Sequence, residues 1–369
     1  MGIKLNLEPF TLPGDNMTRP LVMAGPCSAE TEEQVMETAK ELSSAGIRIF
    51  RAGVWKPRTR PNAFEGVGSE GLKWLRRVGK ETGMLTATEV ANVKHVYDAL
   101  KNGIDILWIG ARTTANPFAV QDIADALKGV EIPVMVKNPV NPDIELWIGA
   151  LERLNDSGVK KLIAIHRGFS IYDKTLYRND PQWQIPIEMK RRIPDLMMIT
   201  DPSHICGNRN LLYDVSQKAM DLNFDGLIIE SHINPDKALS DAKQQITPAD
   251  LQNLLSRLVL RHEDVNQETL TNLAELREQI DKLDDKLIQI FEKRMKFVEE
   301  IGKHKKVNNI TILQSRRWDD IVKNRVNLGM RKGLSEEFIL KIFQTIHQES
   351  INKQTLIMNK DNSEENDAT

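Results

Sequence analysis

The sequence predicts a (β/α)8 TIM barrel followed by a small all-α domain of three helices that dimerises. Three observations carry this. Eight short apolar runs recur from Leu21 onward at intervals of 22 to 37 residues, each interval long enough for one helix and two loops. Past about residue 257 the strand signal stops and apolar residues fall at helical spacing. The 369 residues also exceed what one hydrophobic core usually serves, so a barrel-sized unit plus a smaller one is the expected division.

The runs begin near Leu21, Ile47, Met84, Ile106, Pro133, Lys161, Met197 and Gly226. Eight βα units close into a barrel. A doubly wound open sheet is the alternative, but no G-x-G-x-x-G follows the first run, and polar residues close all eight runs instead of gathering at one switch point. In the second half, Leu270, Leu273, Leu276, Ile280, Leu283, Leu287, Ile290, Phe291, Val298 and Ile301 trace a helix without Gly or Pro until Gly302. That is longer than a usual globular helix, so it calls for a partner helix or a second chain. A second helix is expected over about 314–327, closed by Gly329. A third starts at the capping arrangement Ser335-Glu336-Glu337-Phe338 and reaches about Ile357. The expected domains are therefore a barrel over 1–260, a linker over 261–268, a helical domain over 269–358 and a disordered acidic tail over 359–369.

Composition excludes some partners. Lys plus Arg number 50 against 52 Asp plus Glu, so no global field draws the chain to nucleic acid or to a membrane, and any anion site must be local. No apolar stretch approaches the roughly 18 residues of a membrane span. Two cysteines, Cys27 and Cys206, cannot build a disulfide framework, and no signal-peptide run opens the chain, so a cytoplasmic location is expected.

In a (β/α)8 barrel the chemistry sits where strands end. The run ends carry Gly25-Pro26-Cys27-Ser28, Arg51 through Thr59, Thr88-Glu89, Gly110-Ala111-Arg112, Lys137-Asn138-Pro139, His166-Arg167-Gly168, Asp201-Pro202-Ser203-His204 and Glu230-Ser231-His232. Five are cations, Arg51, Lys56, Arg112, Lys137 and Arg167, with Arg58 just beyond. Arginine forks match phosphate and carboxylate oxygens two at a time and lysine adds a point charge, so five in register point to polyanionic substrates. Surface pairing with helix acids would account for one such residue, but not readily for all five. A second set, Cys27, His204, Glu230 and Asp241, offers sulfur, nitrogen and oxygen to one divalent transition metal. Singly, a buried cysteine or a loop histidine is ordinary; the set gains its meaning from strands one, seven and eight adjoining when the barrel closes.

Gly-Pro-Cys-Ser, Lys-Pro-Arg-Thr, Ile-Gly-Ala-Arg, Asp-Pro-Ser-His, Glu-Ser-His and Leu-Ser-Asp, in that order from about Pro20 to Leu260, resemble 3-deoxy-D-arabino-heptulosonate 7-phosphate (DAHP) synthase of the compact microbial branch. The resemblance implies condensation of phosphoenolpyruvate with erythrose 4-phosphate. It makes Cys27, His204, Glu230 and Asp241 the ligands of one divalent metal, with Mn2+ favoured. It gives Arg51, Lys56, Arg112, Lys137 and Arg167 to phosphoenolpyruvate, and Lys56, Pro57, Arg58 and Thr59 to erythrose 4-phosphate, with Lys56, Arg58, Thr59, Cys27 and His204 closest to the chemistry. His166 stands before Arg167 where much of that branch has an acid. A sister family that uses arabinose 5-phosphate is the nearest rival, but it carries a motif similar to Lys-Ala-Asn-Arg where this chain has Lys56-Pro57-Arg58-Thr59.

In the second half, Leu276-Arg277-Glu278-Gln279-Ile280-Asp281, Glu292-Lys293-Arg294 and Ile301-Gly302-Lys303-His304-Lys305 resemble the first helix of the all-helical chorismate mutases. The resemblance implies a chorismate pocket of Arg277, Arg294, Lys305, Gln314, Arg317, Ser350 and Gln354, rearrangement of chorismate to prephenate, and a homodimer through these helices. Residues eleven apart differ by about 20° around a helix, so Arg294 and Lys305 share a face, while Arg277 falls about 100° away and suits a pocket in the partner. Gln314 and Trp318 replace acids that the family carries near Arg317, which implies slower turnover. A binding and dimerisation module without catalysis is the competing reading of this half. Either way it is the expected sensor through which chorismate or prephenate slows the synthase.

Overall fold

The computed structural model describes residues 4–12, 14, 19–56, 63–172, 175–261 and 267–360, with the side chains of Ser315 and Arg317 also outside the description. The chain forms two compact units that meet in sequence at residues 262 and 263.

In the first unit eight strands form: β1 (Leu21–Gly25), β2 (Ile49–Arg51), β3 (Leu85–Val90), β4 (Ile106–Ile109), β5 (Val134–Lys137), β6 (Leu162–His166), β7 (Met197–Thr200) and β8 (Gly226–Glu230). Each pairs in parallel with the next, and β8 returns to β1 through Leu21↔Gly226 to Gly25↔Glu230, closing the barrel. The strands start within two residues of the expected positions, because an apolar run flanked by polar loop residues marks a strand buried on both faces. Helices cover the outside. Several are capped where the sequence offers a short polar side chain: Thr31, Asn92, Asn116, Asp143, Asp201 and Thr247 each accept a backbone N–H of the first turn.

Two apolar clusters result. One lies between strands and helices and includes Val35, Leu42, Phe50, Leu72, Leu75, Leu107, Trp147, Leu151 and Phe224. The other fills the barrel with Met23, Ile49, Ala87, Ile106, Trp108, Met135, Ile163, Ile165, Ile199 and Ile228. Trp108 lies directly under the strand ends: the Arg51 guanidinium stands 4.9 Å and the Lys137 ammonium 5.9 Å from its ring centre. Its indole N–H donates to Glu89 Oε2 at 2.8 Å.

The second unit holds a 41-residue helix (Gln267–Val307), a second (Ser315–Arg331) and a third (Glu336–Asn359), the last capped by Ser335 on the Phe338 N–H. Glycine does not end the first two helices as the sequence suggested. Gly302 lies inside the long helix, where a Cβ would sit 3.1 Å from Ile357 Cδ1, and a Cβ at Gly329 would collide with Ile339. These glycines admit a close neighbouring helix, against a cost of roughly 1 kcal/mol for each glycine in a helix interior. Along the long helix Leu270, Leu276, Ile280, Leu283, Leu287 and Ile290 remain 43–58% exposed. No helix among the described residues is long and apolar enough to cross a membrane.

Candidate active site

The strand ends deliver their side chains to one rim. Cys27 follows β1, Glu230 ends β8, and Asp241 lies in the loop beyond, in the left-handed region at φ 47° that Asp tolerates better than most residues. Ligand atoms of these three lie within 4.8 Å of one another, with Cys27 Sγ 3.5 Å from Asp241 Oδ2. His204 joins from the short helix after β7, its Nε2 3.7 Å from Glu230 Oε1 and its Nδ1 2.8 Å from Asp201 Oδ2. A thiol, an imidazole and two carboxylates make a mixed donor set that fits a borderline divalent transition ion better than Mg2+ or Ca2+.

Close approach here depends on Gly25, whose φ is 152° and whose missing Cβ would collide with the Arg51 carbonyl oxygen. Arg51 is itself buried, and donates to Glu230 Oε1 at 2.9 Å. Burial opposes ionisation of Glu230, but His204, Arg51 and Lys56 outweigh it and hold the carboxyl at about 2. Burial drives His204 down, with the Asp201 carboxylate opposing the shift. Burial and the negative charge of Glu230 push the Cys27 thiol up to about 12, against Lys56, whose Nζ lies 3.1 Å from the sulfur.

Beside these donors opens a cavity of about 380 Å³, lined on its charged side by Lys56, Arg112, Lys137, Arg167, Arg178 and Glu89. Lys137 is tied to Asp201 at 2.8 Å, and Arg167 to Asn179 Oδ1 at 2.8 Å. Burial lowers Arg167 to about 10; Asp201 opposes the shift, and Arg178 and Arg112 add smaller repulsions. A buried arginine still charged at neutral pH among like charges is a place where an anion binds favourably.

Four of the five cations named from the sequence thus line one cavity, whereas Arg51 sits outside its lining and braces Glu230. Pro57, Arg58 and Thr59 lie outside the described residues. Arg178, Asn179 and Gln244 were not singled out by sequence; they belong to loops after β6 and β8, where no periodicity marks them.

In the helical unit Arg294 donates to Ser350 Oγ at 2.8 Å, and Gln354 Nε2 to the Ser350 carbonyl at 3.2 Å. Gln354 Oε1 is buried without a partner among the described residues. Lys305 is mostly buried and donates to the Ile312 carbonyl at 2.6 Å. Trp318 stacks on His347, ring centres 4.2 Å apart at 17°. Gln314 and Arg277 are exposed, and the Arg317 side chain lies outside the description. Arg294, Ser350 and Gln354 therefore gather, Lys305 is held on the Ile312 carbonyl, and Arg277 faces solvent.

A closed barrel here sets a thiol–carboxylate donor group that could hold a metal ion beside a wall of cations that suits anions. The DAHP synthetase I family model matches residues 10–267, and the chorismate mutase type II model matches residues 276–355. The chain belongs to the DAHP synthetase I family, with a chorismate mutase type II segment behind it. A phospho-2-dehydro-3-deoxyheptonate aldolase of Thermotoga maritima is 35% identical over 225 residues, 61% of this chain and 64% of that relative, so just under two thirds of its length is spanned. A 2-dehydro-3-deoxyphosphooctonate aldolase of Desulfotalea psychrophila is 28% identical over 258 residues, 65% of this chain and 88% of the relative. The solved truncated 3-deoxy-D-arabino-heptulosonate 7-phosphate synthase of Thermotoga maritima superposes with a TM-score of 0.59 at 29% identity, over 68% of this chain and 90% of that one.

Proposed function

We propose that the barrel, residues 1–260, condenses phosphoenolpyruvate with erythrose 4-phosphate to DAHP and phosphate, and that the helical domain, residues 269–358, rearranges chorismate to prephenate. The observation that carries the first activity is the contact between the donor group Cys27, Glu230, Asp241 and His204 and the cation-lined cavity. Those four residues would hold one divalent ion, with Mn2+ favoured, which when bound supplies Lewis acidity toward an aldehyde oxygen. The protein's own part is placement. Lys137, Arg167 and Arg112 take the phosphate and carboxylate of phosphoenolpyruvate, Arg51 works from beneath through Glu230, and Lys56 with Pro57, Arg58 and Thr59 receives the sugar phosphate. Held so, C3 of phosphoenolpyruvate bonds to the aldehyde carbon, water adds at C2, and cleavage of the C2–O bond releases phosphate, whose charge the same cations stabilise.

In the helical unit Arg294 and Lys305 suit the two carboxylates of chorismate, and Gln354 with Ser350 the breaking ether. Arg277, exposed on its own chain, would serve a second copy, and the apolar stripe of the long helix supports a homodimer. Chorismate or prephenate bound there would slow the synthase. A cytoplasmic location suits such a biosynthetic protein.

Metal-stripped protein given both substrates, then restored ion by ion, tests the barrel. DAHP formation restored by Mn2+ supports the reading, and turnover of arabinose 5-phosphate with none of erythrose 4-phosphate replaces it. Prephenate formation by the segment from about residue 266 to 357, or its absence, decides between mutase and binding module.

A further inference from the structure

The loop after β6 and the loop after β8 meet across the end of β7 through one guanidinium. Arg178 Nη1 donates to Asp241 Oδ1 at 3.1 Å and to Gln244 Oε1 at 2.8 Å. Gln244 is 1% exposed, and its Nε2 donates to Glu230 Oε2 at 2.7 Å. Arginine only donates and a carboxylate only accepts, so the amide has one orientation here, oxygen toward Arg178 and nitrogen toward Glu230. Each carboxylate of the donor group is thereby tied by one oxygen. The other oxygen of Asp241 faces Cys27 at 3.5 Å, and that of Glu230 faces Arg51 at 2.9 Å and His204 at 3.7 Å. Arg178 is also part of the cavity wall, whereas Gln244 is not.

We propose that Arg178 is shared between the two halves of the rim: directly on Asp241, and by way of Gln244 on Glu230, it positions both carboxylate donors, while the same guanidinium helps receive the phosphorylated substrates. Arg178 and Gln244 are positioning residues toward the ion, and Arg178 is in addition an anion-binding residue. The inference rests on the metal-and-phosphate reading above and adds to it the device that joins the two sites. Outer-shell partners of metal ligands fix ligand orientation and charge, and their loss costs about 10–100-fold in metal affinity.

The full chain is stripped of metal, and Arg178→Met and Gln244→Met are each titrated by calorimetry with Mn2+ alone and, separately, with inorganic phosphate alone. Both variants are expected to bind Mn2+ about 10–100-fold more weakly than the parent. Phosphate affinity in the metal-free protein should fall for Arg178→Met and hold for Gln244→Met, and Arg178→Lys should recover phosphate more fully than Mn2+. Mn2+ affinities close to the parent in both variants remove the positioning role. Unchanged phosphate binding in Arg178→Met, or an equal loss in Gln244→Met, removes the sharing. If Gln244→Met does not fold, Arg178→Met decides, since that side chain is half exposed and its removal leaves no cavity in the core. A parent protein that binds no Mn2+ overturns both this inference and the metal reading beneath it, whereas a parent that binds beside indifferent variants overturns the inference alone.

Discussion

His166 ends β6 with its ring fully enclosed. Nε2 lies 2.6 Å from the Pro181 carbonyl, so that nitrogen carries the proton, while Nδ1 has no partner among the described residues. Trp183 meets the ring edge-on at 4.9 Å and the charged Arg167 follows in sequence. A second proton would have to sit on Nδ1 with no acceptor to take it. Burial therefore lowers the group from 6.5 to about 4, with Arg167 adding to the shift and the Pro181 bond opposing it. In the unfolded chain the ring protonates near 6.5, so below that pH the unfolded state binds a proton that the folded state refuses. Stability attached to His166 is complete above about 6.5 and is lost as pH falls toward 4, below which the loss is constant. The linkage is worth about 3 kcal/mol over the whole window, and about 2 kcal/mol between pH 7 and pH 5. His166→Gln keeps a donor for Pro181 and removes the titration. Urea unfolding at pH 7, 6 and 5, followed by tryptophan fluorescence, should show the variant losing about 2 kcal/mol less than the parent from pH 7 to 5. Parallel losses in the two proteins would refute the assignment, because other titrating groups such as His204 are common to both.

Other expectations follow from buried pairs and close approaches. Lys137→Met leaves Asp201, 1% exposed, without its 2.8 Å ammonium partner and should cost about 3–5 kcal/mol in denaturant unfolding; a loss below about 1 kcal/mol would mean that His204 alone satisfies the carboxylate. Gly25→Ala drives a methyl group into the Arg51 carbonyl, so the thermal transition should fall steeply or soluble protein should fail to accumulate. Because the Cys27 thiol is held near 12, metal uptake should expel its proton, and calorimetry in buffers of different ionisation enthalpy should detect about one proton released per ion. Mixing Arg277→Ala with Arg294→Ala copies should restore mutase activity at roughly a quarter of the sites through random pairing, and no recovery would place Arg277 outside a shared pocket.

Strand positions were legible because a fully buried parallel strand writes itself as an unbroken apolar run, and the barrel's rim was legible because the residues ending those runs meet there. Cys27, His204 and Glu230 could be grouped because strands one, seven and eight adjoin when the barrel closes, whereas Asp241 was added from the loop after strand eight. What the sequence could not convey is depth. Arg51 and Arg112 look alike as strand-end arginines, yet Arg51 descends beside Trp108 to pair with Glu230, while Arg112 lines the cavity. Nor could it show Arg178 or Gln244, since loop residues carry no periodicity and their meeting depends on how two separate loops fold back. Gly302 and Gly329 misled for a related reason: a glycine that ends a helix and one that admits a neighbouring helix read identically until the neighbour is in place.

The seam between β1 and β8 has a consequence for biosynthesis. Cys27 and Asp241 lie 214 positions apart, so a chain emerging from the ribosome carries its sulfur donor into water long before the carboxylates exist. Neighbouring strands from β1 to β7 can pair as they appear, but the ring stays open and the rim unassembled until the last barrel strand has been made. A nascent chain that ends before Asp241 cannot bring this donor group together, so the rim can assemble only once β8 and the loop after it have been made, while the helical unit is still to follow.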